Sequence, residues 1–110
     1  MPLDVVAIMH PAAGKADRLE ELLSTNAKWV LENEPGVLKY HVQRQHKGIK
    51  KGEEPKLIML ETYQDQPAFQ SHGSSPTFKA FGKKLQEEKL LAKPFDVFVT
   101  KAVGGFVSRL

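Results

Sequence analysis

The chain has 110 residues, 41% hydrophobic and 26% charged, with a formal net charge of +3 and no cysteine. This is one domain's length with an ordinary globular composition. It excludes disulfides, thiol catalysis and cysteine-ligated metals, and so mild a charge does not by itself indicate nucleic acid.

Residues 3–10, LDVVAIMH, are β-branched and apolar and run up to Pro11, a strand pattern. From Gly14 to Glu34 the period changes: Leu19, Leu22, Leu23, Val30 and Leu31 recur at helical spacing, with Asp17, Arg18, Glu20 and Glu21 outside. Glu34-Pro35-Gly36 stops this helix, because a residue before proline avoids helical backbone and glycine permits a sharp exit. Residues 37–46 alternate, with Leu38, Tyr40 and Val42 on one face and Lys39, His41 and Gln43 on the other. A polar connection, 47–55, leads to a third strand at 56–63. Asp65 caps a short helix with Pro67 in its first turn. Gly73-Ser74-Ser75 interrupts it, and Ser75-Pro76 starts another that carries Phe78, Phe81 and Leu85 to about Leu90. Pro94 ends that segment, and 95–100, FDVFVT, forms the last strand.

The order is β-α-β-β-α-β, the ferredoxin-like α+β arrangement: a four-stranded antiparallel sheet with helices on one face. The expected domain is 1–103, with 104–110 as a tail. Strand residues of both parities are apolar (Val5 and Val6, Leu57 and Ile58, Val97 and Phe98), so both faces of the sheet need cover. A second copy on the open face, related by two-fold symmetry, is the simplest cover, and a homodimer is expected. No apolar run reaches the ~18 residues of a membrane helix, and Met1-Pro2-Leu3-Asp4 has no basic segment before an apolar one. A soluble, intracellular, cytoplasmic protein is expected.

Several motifs are similar to one family. Glu34-Pro35-Gly36-Val37-Leu38-Lys39-Tyr40 resembles its helix-to-strand turn, and Pro11 to Lys15 its entry into the first helix. Glu61 to Phe78 carries a strand glutamate, an aromatic, a short helix ending in histidine and then Ser-Pro-x-Phe. Over residues 3–102 the chain resembles the antibiotic biosynthesis monooxygenase family of dimeric α+β barrels. The resemblance implies a homodimer whose sheets pack face to face. It also implies a class of chemistry rather than a substrate, since many members are cofactor-independent oxygenases of quinols, anthrones or similar electron-rich molecules. Relatives include haem-degrading oxygenases, isomerases of small sugar-like signals and proteins without demonstrated activity.

His72 is the leading catalytic candidate. At a helix end beside a flexible break, its imidazole can take a proton from a phenol or enol, leaving an anion that reacts with oxygen. The structural alternative is an exposed histidine satisfying the last helix carbonyls. The substrate pocket is expected to draw on Phe69, Phe78, Tyr40, His41, Glu61 and Trp29. Of Tyr40 and His41 only one can face a given cavity, and Tyr40 beneath a helix with His41 in the dimer interface is the structural alternative. Glu61, a charge within an apolar strand, needs a partner, and Arg44 is the expected one. Trp29 lies off the leucine stripe, at its edge or in an interface. No metal site is expected, because His10, His41, His46 and His72 have no ligand spacing. No cofactor is expected either. The haem-degrading branch carries an asparagine on the first strand and a histidine on the later helix; here Val5 to Met9 has no asparagine and Gly82 falls near the histidine position. The lysines at 47, 50 and 51, followed by Glu53 and Glu54, read as a solvated loop. Ser108-Arg109-Leu110 is similar to the peroxisomal Ser-Lys-Leu address, which is read only in a eukaryotic cell. The functional expectation is a small-molecule monooxygenase, with a non-catalytic binding or stress-related barrel as the alternative.

Overall fold

The computed structural model describes all 110 residues. Strand β1 (Leu3–Pro11) is followed by helix α1 (Ala16–Asn33), β2 (Val37–Arg44), β3 (Leu57–Tyr63), α2 (Gln66–Gly73), α3 (Pro76–Glu87) and β4 (Leu91–Thr100). The strands form one antiparallel sheet in the order β2-β3-β1-β4. This is the ferredoxin-like α+β fold that the order of elements predicts.

The core lies between one face of the sheet and the helices. Alternation along β1 turns Val5, Ala7 and Met9 inward, and along β3 Leu57, Met59, Glu61 and Tyr63. Against them pack Leu19, Leu22 and Leu23 of α1 and Phe81 and Leu85 of α3. Leu19, Leu57 and Leu90 are fully buried, each contributing about 1.5–3 kcal/mol by leaving water. Arg18 joins α1 to the end of α3 through Glu88, at 2.8 and 2.9 Å.

Four details differ from the sequence expectation. Leu31 is 85% exposed, because Val30 already takes the inward position and the next residue is turned ~100° away. On β2 the pairing passes from Val37 opposite Tyr63 to Lys39 opposite Thr62, so Leu38 is an extra residue and faces solvent instead of sharing the side of Tyr40 and Val42. Arg44 does not meet Glu61; it pairs across to α1 with Asp17 (2.7 Å) and Glu20 (3.0 Å). Finally, β4 begins at Leu91 and runs through Pro94. An edge strand tolerates a residue without an N–H, and the ladder to β1 is irregular around His10 and Pro11.

The opposite face of the sheet has no cover within the chain. Val6, Ile8, Ile58 and Leu60 are partly exposed there and Phe98 is exposed. Residues 101–110, including Phe106 and Val107, are also exposed. No helix is long and apolar enough to cross a membrane.

One close approach positions everything that follows. The Gln64 N–H donates to the Gly36 carbonyl at 2.8 Å, holding the α1–β2 turn against the β3–α2 turn. A Cβ at Gly36 would stand 2.9 Å from the Ala68 Cβ. Gly36→Ala is therefore expected to destabilise the protein by ~1–3 kcal/mol. Gly82→Ala, at a position inside α3 where a Cβ meets nothing within 4 Å, is expected to stabilise it by ~0.5–1 kcal/mol. Urea denaturation of the two variants checks the contrast.

Candidate functional site

Two caps aim α2 and α3 at the sheet. The Asp65 carboxylate accepts from the Ala68 N–H at 2.9 Å and starts α2; the Ser75 hydroxyl accepts from the Phe78 N–H at 3.1 Å and starts α3. Between them the chain breaks at Ser74, whose hydroxyl donates to the Gln70 carbonyl at 3.0 Å. This break turns His72 inward, where it is only 6% exposed, and sets Phe78 against it. The helix-end histidine is thus a buried group, not a solvated one.

His72 sits beside an apolar cavity of about 370 Å³ between the sheet and α2 and α3. Eleven of its fifteen lining residues are hydrophobic, and the exceptions, Glu61, Gln70, His72 and Gly73, come from β3 and α2 alone. The aromatic rings of Tyr40, Phe78 and Tyr63 surround the imidazole at 5.2, 5.4 and 5.6 Å between centroids. Phe69 packs on Tyr63 at 5.1 Å. Val97 of β4 lines the cavity and is half exposed, so the cavity meets solvent along that edge strand.

The imidazole is held at both nitrogens. Nδ1 lies 2.9 Å from Glu34 Oε1, and Nε2 lies 3.4 Å from the Tyr40 hydroxyl. A carboxylate only accepts, so Nδ1 carries the proton in this pair, and in the neutral imidazole Nε2 is the acceptor, facing the Tyr40 hydroxyl. Glu34 is the residue that ends α1, and its own N–H closes on the Val30 carbonyl. Its Oε2 is buried without a hydrogen bond, so His72 is the sole side-chain partner of this carboxylate. The carboxylate stands where an imidazolium formed at His72 would need a counter-charge.

A second polar pair lies on β3. The Tyr63 hydroxyl donates to Glu61 Oε1 at 2.5 Å. Burial holds the Glu61 carboxyl above the usual carboxylate range, although the Tyr63 hydroxyl and His72 pull the other way. Burial also raises both tyrosines well above the ordinary phenol value, with Glu61 the next cause in each case. Both hydroxyls therefore remain protonated donors at neutral pH.

Of the residues singled out in the sequence, Phe69, Phe78, Tyr40, Glu61 and His72 meet at this one cavity. His41 and Trp29 do not. His41 is exposed on the other side of β2, since neighbouring strand residues alternate, and Trp29 is half-buried on α1 away from the lining. Glu34 enters the site from outside that set. Its only trace in the sequence is its place in the Glu-Pro-Gly turn, together with a histidine on a later helix.

No three His, Asp or Glu side chains converge as metal ligands. Residues 2–84 match the family model described as antibiotic biosynthesis monooxygenase. A Caulobacter crescentus structure described in the same terms is 30% identical, with a TM-score of 0.77, covering 94% of this chain and 91% of that one. A conserved protein of Methanosarcina mazei (23% identity, TM-score 0.74, 92% of each chain) and Rv0793 of Mycobacterium tuberculosis (22%, 0.75, 96% of this chain and 98% of that one) share the fold. No curated protein matches the chain.

The raised Glu61 carboxyl has a consequence for stability. A folded carboxyl that binds its proton more tightly than the unfolded one makes the fold less stable as pH rises from the ordinary carboxylate range through the folded titration. Glu61→Gln is expected to remove this part of the pH dependence. The variant should match the wild type near pH 4 and exceed it at neutral pH, as read from urea midpoints across the range.

Proposed function

We propose, from the premise that the chain belongs to the antibiotic biosynthesis monooxygenase family, that the His72 cavity is the site of a cofactor-independent oxidation. The substrate is a small electron-rich molecule of the quinol, anthrone or oxygenated-lipid class. Family membership supports monooxygenase-like or small-molecule-binding function in general. The observation that carries the narrower reading is the buried imidazole of His72, which lines an apolar cavity, is fixed at Nδ1 by Glu34 and has only the long Tyr40 contact at Nε2.

In this reading His72 is the general base. The contact of Nε2 with the Tyr40 hydroxyl is long, so an incoming substrate hydroxyl can take its place. The substrate O–H breaks, Nε2–H forms, and Glu34 balances the imidazolium much as a triad carboxylate does. Tyr40 cannot compete as a base, because it keeps its own proton. The conjugated anion then gives electrons to dioxygen. One oxygen atom stays on the substrate carbon as a carbonyl, and the other leaves as water with the two hydrogens removed. A substrate CH₂ is oxidised to C=O by one O₂, and no separate reductant is required. The apolar walls exclude water from the anion and strengthen its electrostatic contacts.

The uncovered sheet face supports the further proposal of a homodimer through Val6, Ile8, Ile58, Leu60 and Phe98.

On a substrate found by oxygen-uptake screening of quinols, anthrones and oxygenated lipids, His72→Ala is expected to reduce kcat by ~10²–10⁴. Unchanged turnover in that variant would falsify the role of His72, and saturable binding without oxygen uptake across the screen would identify a binding protein instead. Leu60→Lys is expected to sediment as a monomer where the wild type sediments as a dimer, because a charge would be buried between the sheets.

A further inference from the structure

We infer that Glu61 is a second substrate-binding group of this cavity, a protonated carboxyl that donates from Oε2 to a ligand carbonyl, so that the site selects hydroxy-ketones whose hydroxyl and carbonyl belong to one conjugated system. The inference rests on the reading of His72 as the base. Hydroxyanthrones, which keep the oxidisable CH₂, are the implied substrates, and hydroxyquinones the implied products.

The geometry of Glu61 is one-sided. In the ladder it lies between Val5 of β1 and Tyr40 of β2, with its side chain turned into the cavity wall and only 8% exposed. Its single hydrogen bond is to the Tyr63 hydroxyl, at Oε1. That hydroxyl has one hydrogen and gives it to Oε1, so a proton on the carboxyl resides on Oε2, which has no partner in the chain.

Of the groups facing Glu61, the Tyr63 hydroxyl and His72 favour its anion, and burial outweighs both. Tyr40 comes from β2, Tyr63 from β3 itself and His72 from α2, with Glu34 at the end of α1 beyond His72. The lining from β1, α3 and β4 is apolar, Val5, Phe78 and Val97 among it. No lysine or arginine lines this cavity, and the two lysines near Glu61, Lys39 and Lys101, border a separate cleft that it also lines. Burial accordingly favours the neutral carboxyl.

The reaction itself makes the same demand. When the ligand O–H proton moves to Nε2, the imidazolium and Glu34 cancel, and the ligand anion remains. An ionised Glu61 would repel that anion in a cavity of low polarity. A protonated one stabilises it, provided that the charge can spread by conjugation to a carbonyl oxygen within reach; the Glu61 proton stays on the carboxyl throughout. A simple phenol offers no such acceptor and leaves the Oε2 hydroxyl unpaired, a loss that polar sites convert into discrimination. The volume of about 370 Å³ falls at the small end of ligand cavities, in keeping with two or three fused rings.

Two rigid probes, kept from turnover by excluding oxygen, test this: 2-hydroxyanthraquinone, and 2-hydroxyanthracene, which has the same outline without carbonyls. Binding is followed by absorbance and fluorescence titration from pH 5 to 9. The wild type is expected to prefer the quinone by about tenfold or more, the value of one hydrogen bond. Glu61→Gln, whose amide can accept from Tyr63 and still donate to the ligand, is expected to keep the preference within about threefold, and Glu61→Leu to lose it. The ratio of wild-type to Glu61→Gln affinity for the quinone should fall as pH rises, because only the carboxyl loses its proton. His72→Ala should abolish the visible band of the bound anion while leaving the carbonyl preference, so the two readings fail separately. Equal binding of the two probes, a Glu61→Gln variant as poor as Glu61→Leu, or no saturable binding of either probe overturns the inference. If Glu61→Leu does not fold by circular dichroism, the pH dependence of the Glu61→Gln ratio decides, and a flat ratio rejects the proposal.

Discussion

The hydrogen bond between Glu34 and His72 is the contact on which the arrangement of the site depends. It joins the last turn of one helix to the last turn of another, 38 residues apart in sequence. For it to form, α1 must stop at the glutamate, the chain must turn at once through Pro35 and Gly36, and α2 must lie close enough for Ala68 to touch the turn. The bare α-carbon of Gly36 and the cap at Asp65 are both conditions of that closeness. A buried carboxylate with one unpaired oxygen is costly in isolation, and here its compensation is concentrated in a single imidazole. The pair that secures this packing is thus also the pair proposed to handle the substrate proton.

Around this pair the cavity divides its labour. The imidazole and the Glu61 carboxyl lie on different elements, α2 and β3, and each meets one uncharged tyrosine hydroxyl, of Tyr40 and Tyr63 respectively. The result is a polar seam along one side of an apolar space. Such a seam orients a planar ligand by two contacts, while the remaining walls supply area and exclude water.

Most of the fold was legible in the sequence because its elements announce themselves by period. β-Branched, apolar composition marked β1, alternation marked β2, helical spacing marked α1, and the paired caps Asp65 and Ser75 marked the interrupted second helical segment. Leu31, Leu38 and Pro94 escaped for local reasons: a stripe one residue too wide, an extra residue in a ladder, and an edge strand's tolerance of proline. The site was legible in part. His72, Tyr40, Glu61, Phe69 and Phe78 converge because they share faces that periodicity assigns. Glu34 did not stand out, because its partner is set by how two distant turns pack, and no local pattern encodes that distance. Arg44 reaches the acidic face of α1 instead of Glu61 for the same reason: the packing of α1 on β2 decides its partner, and no local pattern encodes that.

The edge strand β4 supplies Phe95 and Val97 to the cavity but none of its polar groups. Its outer side has no neighbouring strand, and its ladder to β1 already accommodates an irregularity and a proline. Changes of side-chain size there reshape the space available to a ligand while the hydrogen-bonded seam on β3 and α2 stays intact. In the proposed reading, the choice of ligand is thus adjustable through this one strand without disturbing the groups that handle the proton.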